Sequence, residues 1–107
     1  NKSGQKVNLI TNIDRKLPLE DIAKSQGKNT EDIIQDIENI VASGTKINID
    51  YHLNNILDED AQEEIYEYFL EDAETDDIQA AYEEFDGDYS EEELKLMKIK
   101  FMSEMAN

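Results

Sequence analysis

The chain contains no cysteine, one histidine, one proline, four glycines and few cations. Without cysteine there is no disulfide, no thiol nucleophile and no cysteine-based zinc site, while the cellular compartment stays open. The lone His52 rules out a two-histidine metal face, and a surface or capping histidine is a commoner role for it than a solitary general base. Glycines at 4, 27, 44 and 87 fit neither the phosphate-binding loop G-x-x-x-x-G-K-[ST] nor G-x-G-x-x-G, so no nucleotide site is readable. No apolar run approaches the roughly 18 residues a membrane span needs. No charged-then-apolar leader is seen either, which makes the cytoplasm the expected setting. A chain of 107 residues buries a modest core and leaves no room for a large enclosed active site. Its polar start, Asn1, Lys2, Ser3 and Gly4 with no initiating Met, reads as that of a piece of a longer protein.

What is present is helical patterning. Pro18 suits the first position of a helix, where its missing donor costs nothing, and Leu19, Ile22 and Ala23 then share a face until Gly27. Thr30 is the expected N-cap of the next helix, with Glu31 and Asp32 in its first turn. Ile33, Ile34, Ile37, Ile40 and Val41 recur at helical spacing until Gly44. Two short helices joined by a three-residue turn are the signature of a helix-turn-helix. Val7, Ile10 and Ile13, with Leu9 beside them, supply the third helix that closes its core. Beyond Gly44, Ile47, Ile49 and Tyr51 alternate with Lys46, Asn48 and Asp50, the period of a short strand or wing.

Charge divides the chain. Residues 1–52 carry seven Lys/Arg against eight Asp/Glu, whereas residues 53–107 carry three lysines against 19 acids. A surface of that sign repels phosphate and membrane and attracts basic protein. The acids sit beside regular apolar faces, so the second half is folded rather than disordered. Leu53, Ile56 and Leu57 form a connecting helix. Ala61, Ile65, Phe69 and Ala73, flanked by Tyr66, Tyr68 and Leu70, stripe a helix from about residue 59 to 73. Thr75 caps a helix with Ile78, Ala81, Tyr82 and Phe85 inward, ending at Gly87. Ser90 and Glu93 form a capping box for a last helix presenting Leu94, Met97, Phe101 and Met105, with Glu91 and Lys95 as an i,i+4 pair. The expected fold is mainly α: a three-helix helix-turn-helix subdomain over 1–52 and an acidic array of three to four helices over 53–107 packed against it.

Two chemical readings fail on spacing. Aligning Gly87 with the turn glycine of a calcium loop places Glu84, Asp86, Ser90 and Glu93 at ligand positions, but the first ligand falls on the apolar-face Tyr82. Paired acids such as Glu63 and Glu64 are ordinary helix surface rather than an acid/base pair. No catalytic residue, metal ligand or cofactor is therefore assigned. For DNA, the second helix of the motif should enter the major groove, yet it exposes Glu31, Asp32, Gln35, Asp36, Glu38 and Asn39, which phosphates repel. Arg15, Lys16, Lys24, Lys28 and Lys46 remain as candidate phosphate contacts without sequence preference. Glu63, Glu64, Glu67 and Glu71 are the candidate acidic interaction face.

The segments IDRKLPLEDIAKSQG, SGTKINIDY and LKLMKIKFMSEMAN resemble the extreme C-terminal region of RecQ-type ATP-dependent DNA helicases of Bacteroidetes-like bacteria. The part from Lys6 to Tyr51 is similar to their appended helix-turn-helix domain, and the remainder to the acidic tail after it. The resemblance implies a 3′-to-5′ helicase of repair and recombination, nucleoid-associated, whose ATP and magnesium are handled in upstream domains. It carries no catalytic or binding residue onto these positions. The implied role is an accessory module that meets DNA through its first half, or meets the helicase core or another basic protein through its second. The rival is a free-standing acidic interaction or regulatory domain.

Overall fold

The computed structural model describes residues 2–105. Helices run as α1 Lys2–Asp14, α2 Leu19–Ser25, α3 Thr30–Ala42, α4 Asp50–Ile56, α5 Glu59–Glu67, α6 Ile78–Glu84 and α7 Glu91–Met105, with a π-helical turn, Tyr68–Asp72, continuing α5. The described residues contain no strand. Helices α1, α2 and α3 form the helix-turn-helix, and the turn between α2 and α3 spans the four residues 26–29 rather than three.

Its turn is built by backbone. Gly27, at φ +68°, takes the left-handed conformation that lets Lys28 N–H reach the Ala23 carbonyl at 2.9 Å and Gly27 N–H reach Lys24 at 3.2 Å. This double closure satisfies the last carbonyls of α2. Lys16 closes α1 in the same way at φ +62°, a conformation few residues other than glycine adopt. Gln26 ties the turn back to α1 by donating to the Gln5 carbonyl and to Asn8 Oδ1.

Three caps sit one or two residues from their expected places. Pro18 precedes α2 as its N-cap, its carbonyl accepting from Asp21 and Ile22. Asn29 caps α3 in place of Thr30, accepting from Asp32 N–H at 2.8 Å, because its oxygen reaches the first turn while Thr30 is already helical. Asp77 caps α6 by accepting from Gln79 N–H, while Thr75 accepts from Asp77 N–H to shape the approach. In α1 the inward pair is Leu9 and Ile13, leaving Val7 64% exposed. Asp58 caps α5, and the Ser90–Glu93 box forms in both directions, at 2.8 and 3.0 Å.

Helix α7 is the hub. It packs on α3, α4, α5, α6 and the π-helical turn. Leu94 and Met97 are buried on one side and Leu96, Ile99 and Ser103 on the other, whereas Met105 is exposed. Apolar residues on opposite arcs mark a helix with neighbours on more than one side. The π-helical turn turns adjacent Tyr68 and Phe69 both inward and leaves Leu70 exposed. Rings then follow one another from Tyr89 through Phe85, Tyr68, Phe69 and Phe101 to Tyr66, with centroids 5.2–6.1 Å apart.

The expected strand at residues 47–51 does not form. Ile47 and Ile49 are buried and Asn48 is exposed, so the alternation is real, but no second strand lies alongside. Instead Ser103 Oγ accepts from Ile47 N–H and donates to Ile47 C=O, both at 2.9 Å. Tyr51 already belongs to α4. Because Ser103→Ala strands two buried backbone groups at about 1–3 kcal/mol each, it should destabilise the protein by about 2–6 kcal/mol in urea unfolding. A loss within experimental error would show that Ile47 is satisfied another way.

The Tyr51 hydroxyl donates to the Leu17 carbonyl, joining α4 to the α1–α2 connection. Burial first, and the Glu20 carboxylate second, push its pKa up to about 12. For Lys100, desolvation pulls downward but is outweighed by the Asp50 and Glu104 carboxylates, leaving it above the usual lysine value of 10.5. Both folded values lie above the unfolded ones, so both contributions are complete at neutral pH and vanish as pH rises through the folded values. Thermal stability should therefore stay level with respect to these groups up to pH 10 and fall between 10 and about 12, with Tyr51→Phe reducing the fall. An identical alkaline profile in that variant would contradict the assignment.

Candidate functional site

The outer face of α3 is where a helix-turn-helix meets a groove. Glu31, Asp32, Gln35 and Asn39 are exposed there, and Asp36 is half-buried. One flank is covered from within. Lys98 Nζ lies 3.0 Å from Glu38, and Lys95 Nζ donates to Gln35 Oε1 at 2.6 Å while lying 3.9 Å from Glu38. Lys95 therefore turns to α3 and makes no pair with Glu91. The groove-facing helix is thus acidic and flanked by α7.

The five candidate cations do not form one uniform rim. Lys28 is held by Asp36 at 2.8 Å. Lys46 borders a hollow of about 440 Å³ that also contains Asp14, Asp50, Lys100 and Glu104, a mixed-charge setting. Arg15 and Lys16 on the α1–α2 connection and Lys24 in the last turn of α2 are exposed, and none of the three makes an ion pair among the described residues. Lys46 is likewise exposed and outside every ion pair among the described residues, so these four, unlike Lys28, remain able to meet a phosphate.

In the second half, all three lysines are spent internally. Lys95 and Lys98 go to α3, with Asp76 a looser partner of Lys98 at 3.8 Å. Lys100 Nζ donates to Asp50 Oδ1 and Glu104 Oε2, both at 2.7 Å. Two of these recipients, Glu38 and Asp50, belong to the first half, so the second half lends its cations inward and keeps its carboxylates outward. Glu63, Glu64, Glu67 and Glu71 are all exposed along α5 and the π-helical turn. Glu64 receives only a long contact from the Tyr89 hydroxyl, at 3.4 Å. The field reaches the aromatic run: Tyr68 is raised above its usual pKa by burial and then by the carboxylates of Glu84 and Asp77. Tyr89 is raised by burial and then by Glu64.

His52 is buried in α4, 7% exposed and edge-on to Tyr51, rather than on the surface. Ser90 and Glu93, weighed above as calcium ligands, are occupied by the capping box. Among the described residues, no group of three or more His, Asp or Glu could hold a metal ion, and no helix is long and apolar enough to cross a membrane.

Sequence reasoning missed the role of Lys95, Lys98 and Lys100. Their spacing, i, i+3 and i+5, places them on a broad arc of α7, but their acidic partners on α3 and α4 are far away in sequence. Residues 3–53 match the family described as RecQ-1-like, helix-turn-helix domain. The match is consistent with the C-terminal helix-turn-helix region of a RecQ helicase, and residues 54–107 lie outside it. No curated protein matches the chain.

Proposed function

We propose that this chain, its first half a RecQ-1-like helix-turn-helix domain, is a non-catalytic accessory module of a RecQ-type DNA helicase that acts mainly through charge on protein rather than by reading bases. The observation that carries this reading is the direction of the ion pairs. Every lysine of residues 53–107 is turned onto a carboxylate of the chain itself, and apart from Asp76 and Glu104 the outward acids of that half make no ion pair among the described residues. Such a surface can compete with DNA for the basic channel of a helicase core, or hold a basic partner near it. The acidic outer face of α3 argues against major-groove entry. Arg15, Lys16 and Lys24 leave room for weak, sequence-tolerant phosphate contact. ATP and magnesium would belong to the helicase domains, and the setting would be the nucleoid.

The test compares the full helicase with a form in which Glu63, Glu64, Glu67 and Glu71 are all changed to Gln. Neutralising these exposed acids should tighten forked-DNA binding several-fold at about 50 mM salt and have little effect at about 200 mM. Weaker DNA binding after neutralisation, or no change at either salt, would refute the charge mechanism.

A further inference from the structure

A groove runs along α7 where the helix-turn-helix meets the acidic half. One hollow, of about 470 Å³, is floored by Ile34 and Ile78 and rimmed by Glu31, Asp77, Glu91 and Glu92. A second, of about 350 Å³, is floored by Phe69, Ala73, Phe101 and Met102 and rimmed by Glu74. Both volumes are in the range of sites that accept large side chains or small ligands. Asp76 and Lys98 line both hollows and separate them, their 3.8 Å contact involving an Asp76 side chain that is 89% exposed. Lys95 and Lys98 at the base are committed to Gln35 and Glu38, whereas Glu31, Glu74, Asp77, Glu91 and Glu92 make no ion pair among the described residues.

We propose that this groove is the docking site for a lysine- or arginine-rich amphipathic helix of a protein partner, its apolar side chains entering the two hollows and its cations meeting the acidic rim. The α7 residues lining the first hollow, 91–98, and the second, 98–102, are centred about six residues apart, roughly 9 Å at 1.5 Å per residue. That separation is close to that of apolar anchors two turns apart on an incoming helix, the i and i+7 positions of helix-in-groove recognition. Apolar floor and unpaired acidic rim together select the occupant: an acidic or neutral helix would leave the rim unopposed, and nucleic acid would be repelled. The proposal rests on the charge reading above and narrows it to one groove.

The probe is a synthetic helical peptide of about 18 residues, with Lys on one face and Leu on the other, titrated into the isotope-labelled chain. A control peptide keeps every Lys and replaces Leu with Ser. Amide shifts should concentrate on the first turns of α3, on residues 74–78 and on α7, with the Ser peptide binding at least about tenfold more weakly. Combined Glu31→Gln, Glu91→Gln and Glu92→Gln should weaken the Leu peptide by about tenfold, while Gln at positions 63, 64, 67 and 71 should change it little. Equal affinity for both peptides, or shifts centred on α5, would overturn the groove and leave the charge reading intact. Failure of both peptides to bind at low salt would overturn both.

Discussion

Leu96→Ala should destabilise the whole chain by about 2–5 kcal/mol, the usual cost of emptying a closed leucine site. For a chain of this length total stability is of the order of 5–15 kcal/mol, so the loss is a large fraction of the total. Leu96 is fully buried, on the side of α7 opposite the aromatic run that Phe101 joins. The consequence reaches the helix-turn-helix, because α7 packs directly on α3 and its Ser103 holds the backbone of Ile47. Thermal unfolding of the variant, followed at the amides of Ile33 and Ile37, should show them melting together with residues of α5 and α7. Melting of α5 and α7 with α3 left intact would show that the two halves fold independently.

Salt should stabilise this protein. Among the described residues the ion pairs involve four lysines, Lys28, Lys95, Lys98 and Lys100, and partly exposed pairs contribute about 0–1 kcal/mol each, which salt weakens. Against them stands a net charge of −17, whose self-repulsion is relieved once the Debye length shrinks below the spacing of surface carboxylates. The repulsion is the larger effect because most of the 27 acids have no cation within reach, there being only 10 Lys and Arg in the chain. Raising sodium chloride from about 0.01 M to about 1 M should lift the melting temperature by roughly 5 °C or more, the equivalent of about 1 kcal/mol. A melting temperature that falls with salt would mean that the ion pairs outweigh the repulsion and that the surface is compensated.

How much of this was legible in the sequence follows from how local each signal is. The isoleucine spacing of α3, the Ser90–Glu93 box and the breaks at Gly27 and Gly44 depend on residues within a turn of one another, and they mark the helices correctly. Caps moved by a residue or two because Asn29, Thr30, Thr75 and Asp77 are all competent, and only the observed backbone selects among them. The alternation of Ile47 and Ile49 reports extended backbone with one side buried. It carries no information about whether the neighbour is a strand or, as here, a serine 56 residues away. In the sequence, Leu94, Met97 and Phe101 form a regular stripe that suggests a one-faced α7. Leu96, Ile99 and Ser103 lie on the opposite arc, and no periodicity announces a helix buried on both. Lys28 reads as a free cation until Asp36, eight residues on, is brought beside it across the turn. The distribution of charge was plain from composition, but its uncompensated character appears only when Lys95, Lys98 and Lys100 are seen to face inward.

The most direct measurement is the anisotropy of a labelled forked DNA bound to the helicase core as this chain is added, at about 50 and 200 mM salt. If the acidic surface displaces DNA from the core, anisotropy falls at the lower salt as DNA is released, changes little at the higher salt, and falls less when Glu63, Glu64, Glu67 and Glu71 are neutralised. Rising anisotropy from DNA binding to the chain itself, abolished by changing Arg15, Lys16 and Lys24 to Ala, would contradict that displacement and make the helix-turn-helix a DNA-holding module.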